Sequence, residues 1–255
     1  AHIADDMINL AKDLGCNTFV HFNFIPVGRG KEMAPFDLTP AQRENLLRTL
    51  NKHLQEGEIS IMSTAPQFGR ACIAHGPLDG LMATGHAGSG KGKQAKTLSK
   101  YIGGCGAGRC YCSFQPNGKV NPCVYMPSQE VGDLRRQRFA DIWNNSLFEV
   151  LADREDRGDH CGVCDYRHYC GGCRARAVSY TGDVQAGDPG CVYNINVWDE
   201  ITAAASNQLP VLGANPSPDN LLAGVTSGAL TQKNAPDVLL TQLTTVLDDV
   251  VGQLN

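Results

Sequence analysis

Nine of the eleven cysteines in this chain of 255 residues fall between Cys105 and Cys191. Four groups organise the stretch: Cys105, Cys110 and Cys112 close together, Cys123 after Asn117-Gly118-Lys119, then Cys161-x2-Cys164-x5-Cys170-x2-Cys173, and Cys191 behind Asp188-Pro189-Gly190. Thiolates are soft ligands that select zinc or iron–sulfur clusters. A secretory signal (basic, then apolar) is missing from the first residues, so clustered cysteines point to metal binding ahead of disulfides, in a reducing, cytoplasmic setting. Zinc ribbons separate their two cysteine pairs by a dozen or more residues, and five is short for one tetrahedral ion. In two-cluster ferredoxins the fourth cysteine of a compact run ligates the other cluster. By that precedent Cys173 crosses over and Cys191 completes the set of Cys161, Cys164 and Cys170. A second set then takes Cys173 with three of Cys105, Cys110, Cys112 and Cys123. Eight ligands make two sites, with one cysteine over.

The glycines and charges nearby fit such a region. Gly118 predicts a hairpin that delivers the backbone to Cys123. Gly171-Gly172 lets the chain pass close to a bulky group, or is an ordinary turn. Arg174 and Arg176 bring positive charge toward an anionic cluster, or form a solvated surface pair. Cys16 and Cys72 read as buried or incidental.

The elements that must position these residues begin with a helix over 3–14, with Ile3, Met7, Leu10 and Leu14 on one face and Gly15 as its stop. A strand over 18–25 places Val20, Phe22 and Phe24 on one face and Phe19, His21, Asn23 and Ile25 on the other. His21 and Asn23 either point into a site or lie on a solvated face. Thr39-Pro40-Ala41-Gln42 starts a second helix with Leu46, Leu47, Leu50 and Leu54 as its buried stripe and Gly57 as its stop. A short strand follows over 58–62. Helix, strand, helix, strand predicts part of a parallel α/β layer, where ligands sit at the carboxyl ends of strands. Residues 63–104 read as a glycine-rich, flexible linker. Gly85 to Lys91 mimics a phosphate loop, but Gly92 stands where a Ser or Thr should hold magnesium. Residues 139–151 predict one helix with Phe139, Ile142, Trp143 and Phe148 in the core. Beyond a Pro-, Gly- and Ser-rich stretch over 209–236, Leu239, Leu243, Val246, Val250 and Leu254 mark a final amphipathic helix that docks on the body.

Composition narrows the rest. Hydrophobic residues make up 42% of the chain, enough for a core, and a net charge of −4 gives no case for nucleic acid. No apolar run reaches the length of a membrane span.

The pattern Cys105-x12-Gly118-x4-Cys123, Cys161-x2-Cys164-x5-Cys170-x2-Cys173 and Cys191 resembles the SPASM domain of radical S-adenosylmethionine (SAM) proteins. The phrases GGCGAGRCYC, NGKVNPC, CGGCRARA and GDPGC resemble the haem-maturing and peptide-modifying branch, over about residues 100–195. Upstream, FNFIPVGRG, TPAQRENLLRTL and STAPQFGR resemble the last strands and helices of the partial radical SAM barrel. The resemblance implies residues 1–99 as barrel and linker, 100–196 as a small iron–sulfur domain, and 197–255 as a helical tail. It implies two auxiliary clusters of the [4Fe–4S] kind: one on Cys105, Cys112, Cys123 and Cys173, the other on Cys161, Cys164, Cys170 and Cys191. Cys112 is preferred to Cys110 because the relatives carry Tyr-Cys there. Ile25, Pro26, Gly28 and Arg29 would lie near SAM.

The Cys-x3-Cys-x2-Cys motif that binds the SAM-cleaving cluster is not in this chain. The expectation is therefore the C-terminal portion of a longer enzyme whose SAM and third [4Fe–4S] cluster come with the other half. Its substrate would be a peptide or a tetrapyrrole, and its reductant a flavodoxin or ferredoxin. The competing readings are a non-catalytic electron relay and a structural zinc protein.

Overall fold

The architecture was obtained as a computed structural model, which describes residues 3–77, 80–84 and 88–206. Contacts group the chain into two units, Ala1–Ala204 and Ala205–Asn255, and nearly all described residues belong to the first. The predicted C-terminal amphipathic helix and the stretch over 209–236 lie outside the described residues.

Helix α1 (Ala4–Asp13) ends in the turn before Gly15, and β1 (Thr18–His21) follows. Thr39 opens α2 (Pro40–Glu56) through a reciprocal capping box with Gln42, with Pro40 in the first turn. Gly57 closes the helix in the left-handed region at φ 74°, which a residue with a Cβ enters at a cost. Strand β2 (Ser60–Ser63) then pairs parallel with β1, Thr18 opposite Ser60 and His21 opposite Ser63. The β1–α2–β2 crossover is thus the predicted parallel unit. Its core gathers Ile8, Leu47, Leu50, Leu54, Ile61 and Phe68.

Four expectations need correction. The ladder of β1 stops at His21, because residues 22–27 run on without a partner strand. The stripe of Ile3, Met7, Leu10 and Leu14 faces outward, with Leu14 72% exposed, while Ala4 and Ile8 are the buried residues of α1. The region read as a linker is structured. It holds α3 (Gln67–His75), an antiparallel hairpin of β3 (Leu81–Thr84) and β4 (Gly88–Lys91), and α4 (Gly92–Ile102). Phe68, Ala71 and Cys72 supply a buried face to α3. Gly88 to Lys91 of that run form β4, antiparallel to β3, and not the loop of a strand–loop–helix phosphate site. Lastly, the helix over 139–151 is two, α5 (Phe139–Trp143) and α6 (Ser146–Ala152), because Asn145 leaves helical geometry and caps α6 on Leu147. Ile142 and Phe148 are buried there, with Leu151, whereas Phe139 is exposed.

The cysteine region is loop-rich. A three-stranded antiparallel sheet of β5 (Ser113–Phe114), β6 (Lys119–Asn121) and β7 (Gly132–Asp133) turns at Gly118, φ 83°, and leads to Cys123. Two short helices, α7 (Asp159–Val163) and α8 (Arg174–Thr181), bracket the dense cysteine run, and α9 (Ile195–Ser206) follows Cys191.

Candidate metal centre

Cys161 lies on α7 and Cys164 caps its end; the turn of 164–170 then closes through Arg167 N to Cys164 O and Cys170 N to Tyr166 O. Gly171 and Gly172 both take positive φ, 65° and 63°. They reverse the chain so that Cys173 becomes the residue capping α8. A Cβ on Gly172 would stand 3.2 Å from Cys161 Sγ and 2.5 Å from Arg174, so this position requires close backbone approach.

The thiols of Cys161, Cys164, Cys170 and Cys191 line one small cavity, together with Arg70, Tyr193 and Asn194. Two donors reach the sulfurs: Gly172 N to Cys170 Sγ and Asn194 Nδ2 to Cys161 Sγ, each at 3.3 Å. Burial pushes the Cys191 thiol up to about 12, against the pull of Arg70, and burial also raises Cys164 and Cys170. Buried thiols of this kind become ligands only when a cationic group replaces the proton.

Arg70 comes from α3 and is 1% exposed. Its guanidinium grips Glu44 of α2 with both terminal nitrogens and lies 5.1 Å over the Tyr193 ring. Burial works against its charge, but Glu44 and the sulfurs of Cys191 and Cys170 hold it charged more firmly than usual.

Cys105, Cys123 and Cys173 form a second buried group with Ala107, Met126 and Ala175, against which Ile25 and Tyr111 pack. The Tyr111 hydroxyl donates toward Cys123 Sγ at 3.9 Å. Cys112 packs elsewhere, against the group of Val120, Ile142 and Phe148, and Cys110 is exposed. Cys72 sits in the α2–α3 core and Cys16 is exposed.

The two groups are tied together. Cys105 N donates to Cys170 O at 3.1 Å. Asp188 is fully buried and accepts from Cys173 N at 2.7 Å, Gln67 Nε2 at 2.5 Å, Gly190 N at 2.9 Å and Arg176 Nε at 3.3 Å. Arg176 continues to Asp37 at 2.8 Å and to Phe24 O at 2.7 Å, and Arg43 holds Asn23 Oδ1 and Asp37. Arg176 is therefore buried and ion-paired, and Arg174 is buried with its guanidinium on the carbonyls of Val184 and Ala186, which removes the surface reading. Arg154 and Arg157 fasten the loops from beneath, through Gly103 O, Gly171 O and Leu151 O.

Of the residues expected near SAM, Pro26 is buried and Ile25 lies against the three-cysteine group, while Gly28 and Arg29 are exposed at the start of a 3-10 segment. His21 and Asn23 face inward: His21 Nδ1 is 2.9 Å from Ser63 Oγ, and Asn23 is buried. Sequence reasoning missed Arg70, Asn194 and the role of Tyr111. Asn194 stands three residues after Cys191 and Tyr111 inside the first cysteine cluster, and neither position alone signals a contact.

Among the described residues, no three His, Cys, Asp or Glu side chains stand close enough to share one metal ion. Arg70 Nε and Arg174 Nη2 are buried without partners. A sulfide-bearing cluster offers acceptors to such donors.

A model of the SPASM family, an iron–sulfur cluster-binding domain, matches residues 105–174. The chain carries a SPASM domain. Relatives extend the match beyond it. An AdoMet-dependent heme synthase of Methanosarcina barkeri is 34% identical over 186 residues, 72% of this chain and 50% of the relative. A PqqA peptide cyclase of Granulibacter bethesdensis is 29% identical over 132 residues, covering 47% and 35% of the two chains. A pre-heme d1 synthase of Dinoroseobacter shibae is 31% identical over 105 residues, 38% and 26%. The SPASM match and these relatives support the haem-maturing and peptide-modifying branch of radical SAM proteins. The chain spans about half the length of the heme synthases it matches. No solved structure matches it significantly. Among the described residues, no helix is long and apolar enough to cross a membrane.

Proposed function

We propose that this chain is the C-terminal portion of a radical SAM enzyme whose SPASM domain holds two auxiliary iron–sulfur clusters. The substrate would be a peptide or a tetrapyrrole, as the names of the relatives suggest. The observation that carries the reading is the grouping of Cys161, Cys164, Cys170 and Cys191 around one cavity while Cys173 joins Cys105 and Cys123. Residues 1–99 would be barrel and linker, 100–196 the cluster domain and 197–255 a tail. The parallel β1–α2–β2 unit and the outward apolar stripe of α1 support a barrel portion that packs against further strands.

The clusters, when bound, would accept or relay single electrons. The protein's part is to ionise and orient the ligands. Asn194 and the Gly172 N–H stabilise thiolates, Arg70 places a buried positive charge beside the quartet, and Asp188 fixes the backbone of Cys173. SAM and a third [4Fe–4S] cluster would be held with the other half, beside Ile25, Pro26, Gly28 and Arg29, and a flavodoxin or ferredoxin would supply electrons. An electron-relay module without SAM chemistry is the second reading.

Anaerobic purification with iron and sulfide analysis tests the common core. We expect a brown protein with absorbance near 400 nm and about eight irons per chain. A colourless protein carrying zinc would overturn it. SAM cleavage by a version joined to a Cys-x3-Cys-x2-Cys half separates the enzyme from the relay.

A further inference from the structure

We propose that the site of Cys105, Cys123 and Cys173 is a three-thiolate site whose fourth corner is faced by the Tyr111 hydroxyl, with Cys112 outside it. The inference rests on the iron–sulfur reading above and refines one of its ligand sets.

The turn after Cys105 decides the arrangement. Gly106 O accepts from Arg109 N, Cys110 N and Tyr111 N, at 3.0, 2.8 and 3.2 Å. This tight turn sends Cys110 outward and Tyr111 inward. The phenol then packs on the group of Cys105, Cys123 and Cys173, and its hydroxyl reaches Cys123 Sγ. Cys112 instead packs against the apolar group of Val120, Ile142 and Phe148 under α5 and α6.

Two consequences follow. If a four-iron cluster were held by these three thiolates, one iron would be left for a non-thiolate ligand. The phenol also donates to a ligating sulfur, and hydrogen bonds to cluster sulfurs raise the potential. Tyr111 is thus a positioning residue for one cluster and not for the other.

The experiment uses the full chain, purified anaerobically and loaded with iron and sulfide. Cys112→Ala should keep the wild-type iron content and the electron paramagnetic resonance spectrum of the reduced protein, while Cys123→Ala loses about four irons per chain. Loss of about four irons in Cys112→Ala overturns the proposal. Tyr111→Phe should keep its iron but shift the resonance of one cluster and make its midpoint potential more negative; an unchanged potential and spectrum overturn the role of the phenol. A wild-type chain without iron would defeat the iron–sulfur reading itself, a result distinct from either variant outcome.

Discussion

The carboxylate of Asp188 accepts the backbone N–H of Cys173 at 2.7 Å, fifteen residues earlier in the chain. One buried side chain thereby holds a residue of the three-cysteine group while sitting three positions before Cys191, which lines the other site. Asp188→Asn would turn a donor toward N–H groups that need acceptors. We expect a loss of about 3 kcal/mol and reduced iron at both sites, read as a lower melting temperature and iron content. Full iron retention with an unchanged melting temperature would show that Asp188 is dispensable.

Arg70 and Glu44 form a buried pair, with His75 adding a 2.7 Å contact to the same carboxylate. Burial alone would raise the Glu44 carboxyl, but Arg70 and His75 hold it below its ordinary range. Arg70→Ala leaves that carboxylate uncompensated and should cost about 3–5 kcal/mol. The double variant Glu44→Gln, Arg70→Met should recover most of this loss. Equal losses in single and double variants would place the whole effect of Arg70 at the sulfurs.

Two glycines with similar backbone angles give a controlled comparison. Gly57 has φ 74° and nothing within 4 Å of a built Cβ, whereas Gly104 has φ 71° and its Cβ would run into the Cys170 carbonyl. Gly57→Ala should cost about 1 kcal/mol, the left-handed penalty alone. Gly104→Ala should cost more and release iron, because Cys105 N binds that same carbonyl. Denaturation midpoints and iron analysis of both variants decide; equal effects would mean that the Cys170 contact relaxes freely.

Burial, with help from the Arg43 charge, pushes the His21 imidazole down to about 4. An unfolded histidine takes up its proton near pH 6.5. Between these values the unfolded chain binds a proton that the folded chain refuses, so stability falls as pH falls through this window. The loss approaches about 3 kcal/mol at its acid end. Melting temperatures of His21→Gln should decline less steeply from pH 7 to pH 5 than those of the unaltered protein. Parallel curves would rule out His21 as the source.

Cys164→Ala should remove about four irons and leave the other cluster's resonance in place, whereas Cys110→Ala should remove none. Loss of a cluster in Cys110→Ala would reassign a ligand.

Local signals made part of this fold legible. The Thr39–Gln42 box and Gly57 mark both ends of α2, and counting cysteines suggests that Cys173 and Cys191 change places between sets. Other parts depend on contacts that no local pattern encodes. The apolar periodicity of α1 is real, yet Ala4 and Ile8 are the residues its neighbours cover. In α3, Gly69 and Arg70 interrupt the apolar run, and Arg70 is buried only because Glu44 is there to meet it. The inward turn of Tyr111 is set by three hydrogen bonds to one carbonyl oxygen.

The exchange between the dense cysteine run and its flanks carries a consequence for descent. Cys173 lies between Cys170 and Cys191 in the chain but keeps company with Cys105 and Cys123. A deletion of one contiguous block that erased either set would strip residues from the other as well. Lineages carrying this arrangement would keep both cysteine groups or forfeit both, unless they replaced individual cysteines one at a time.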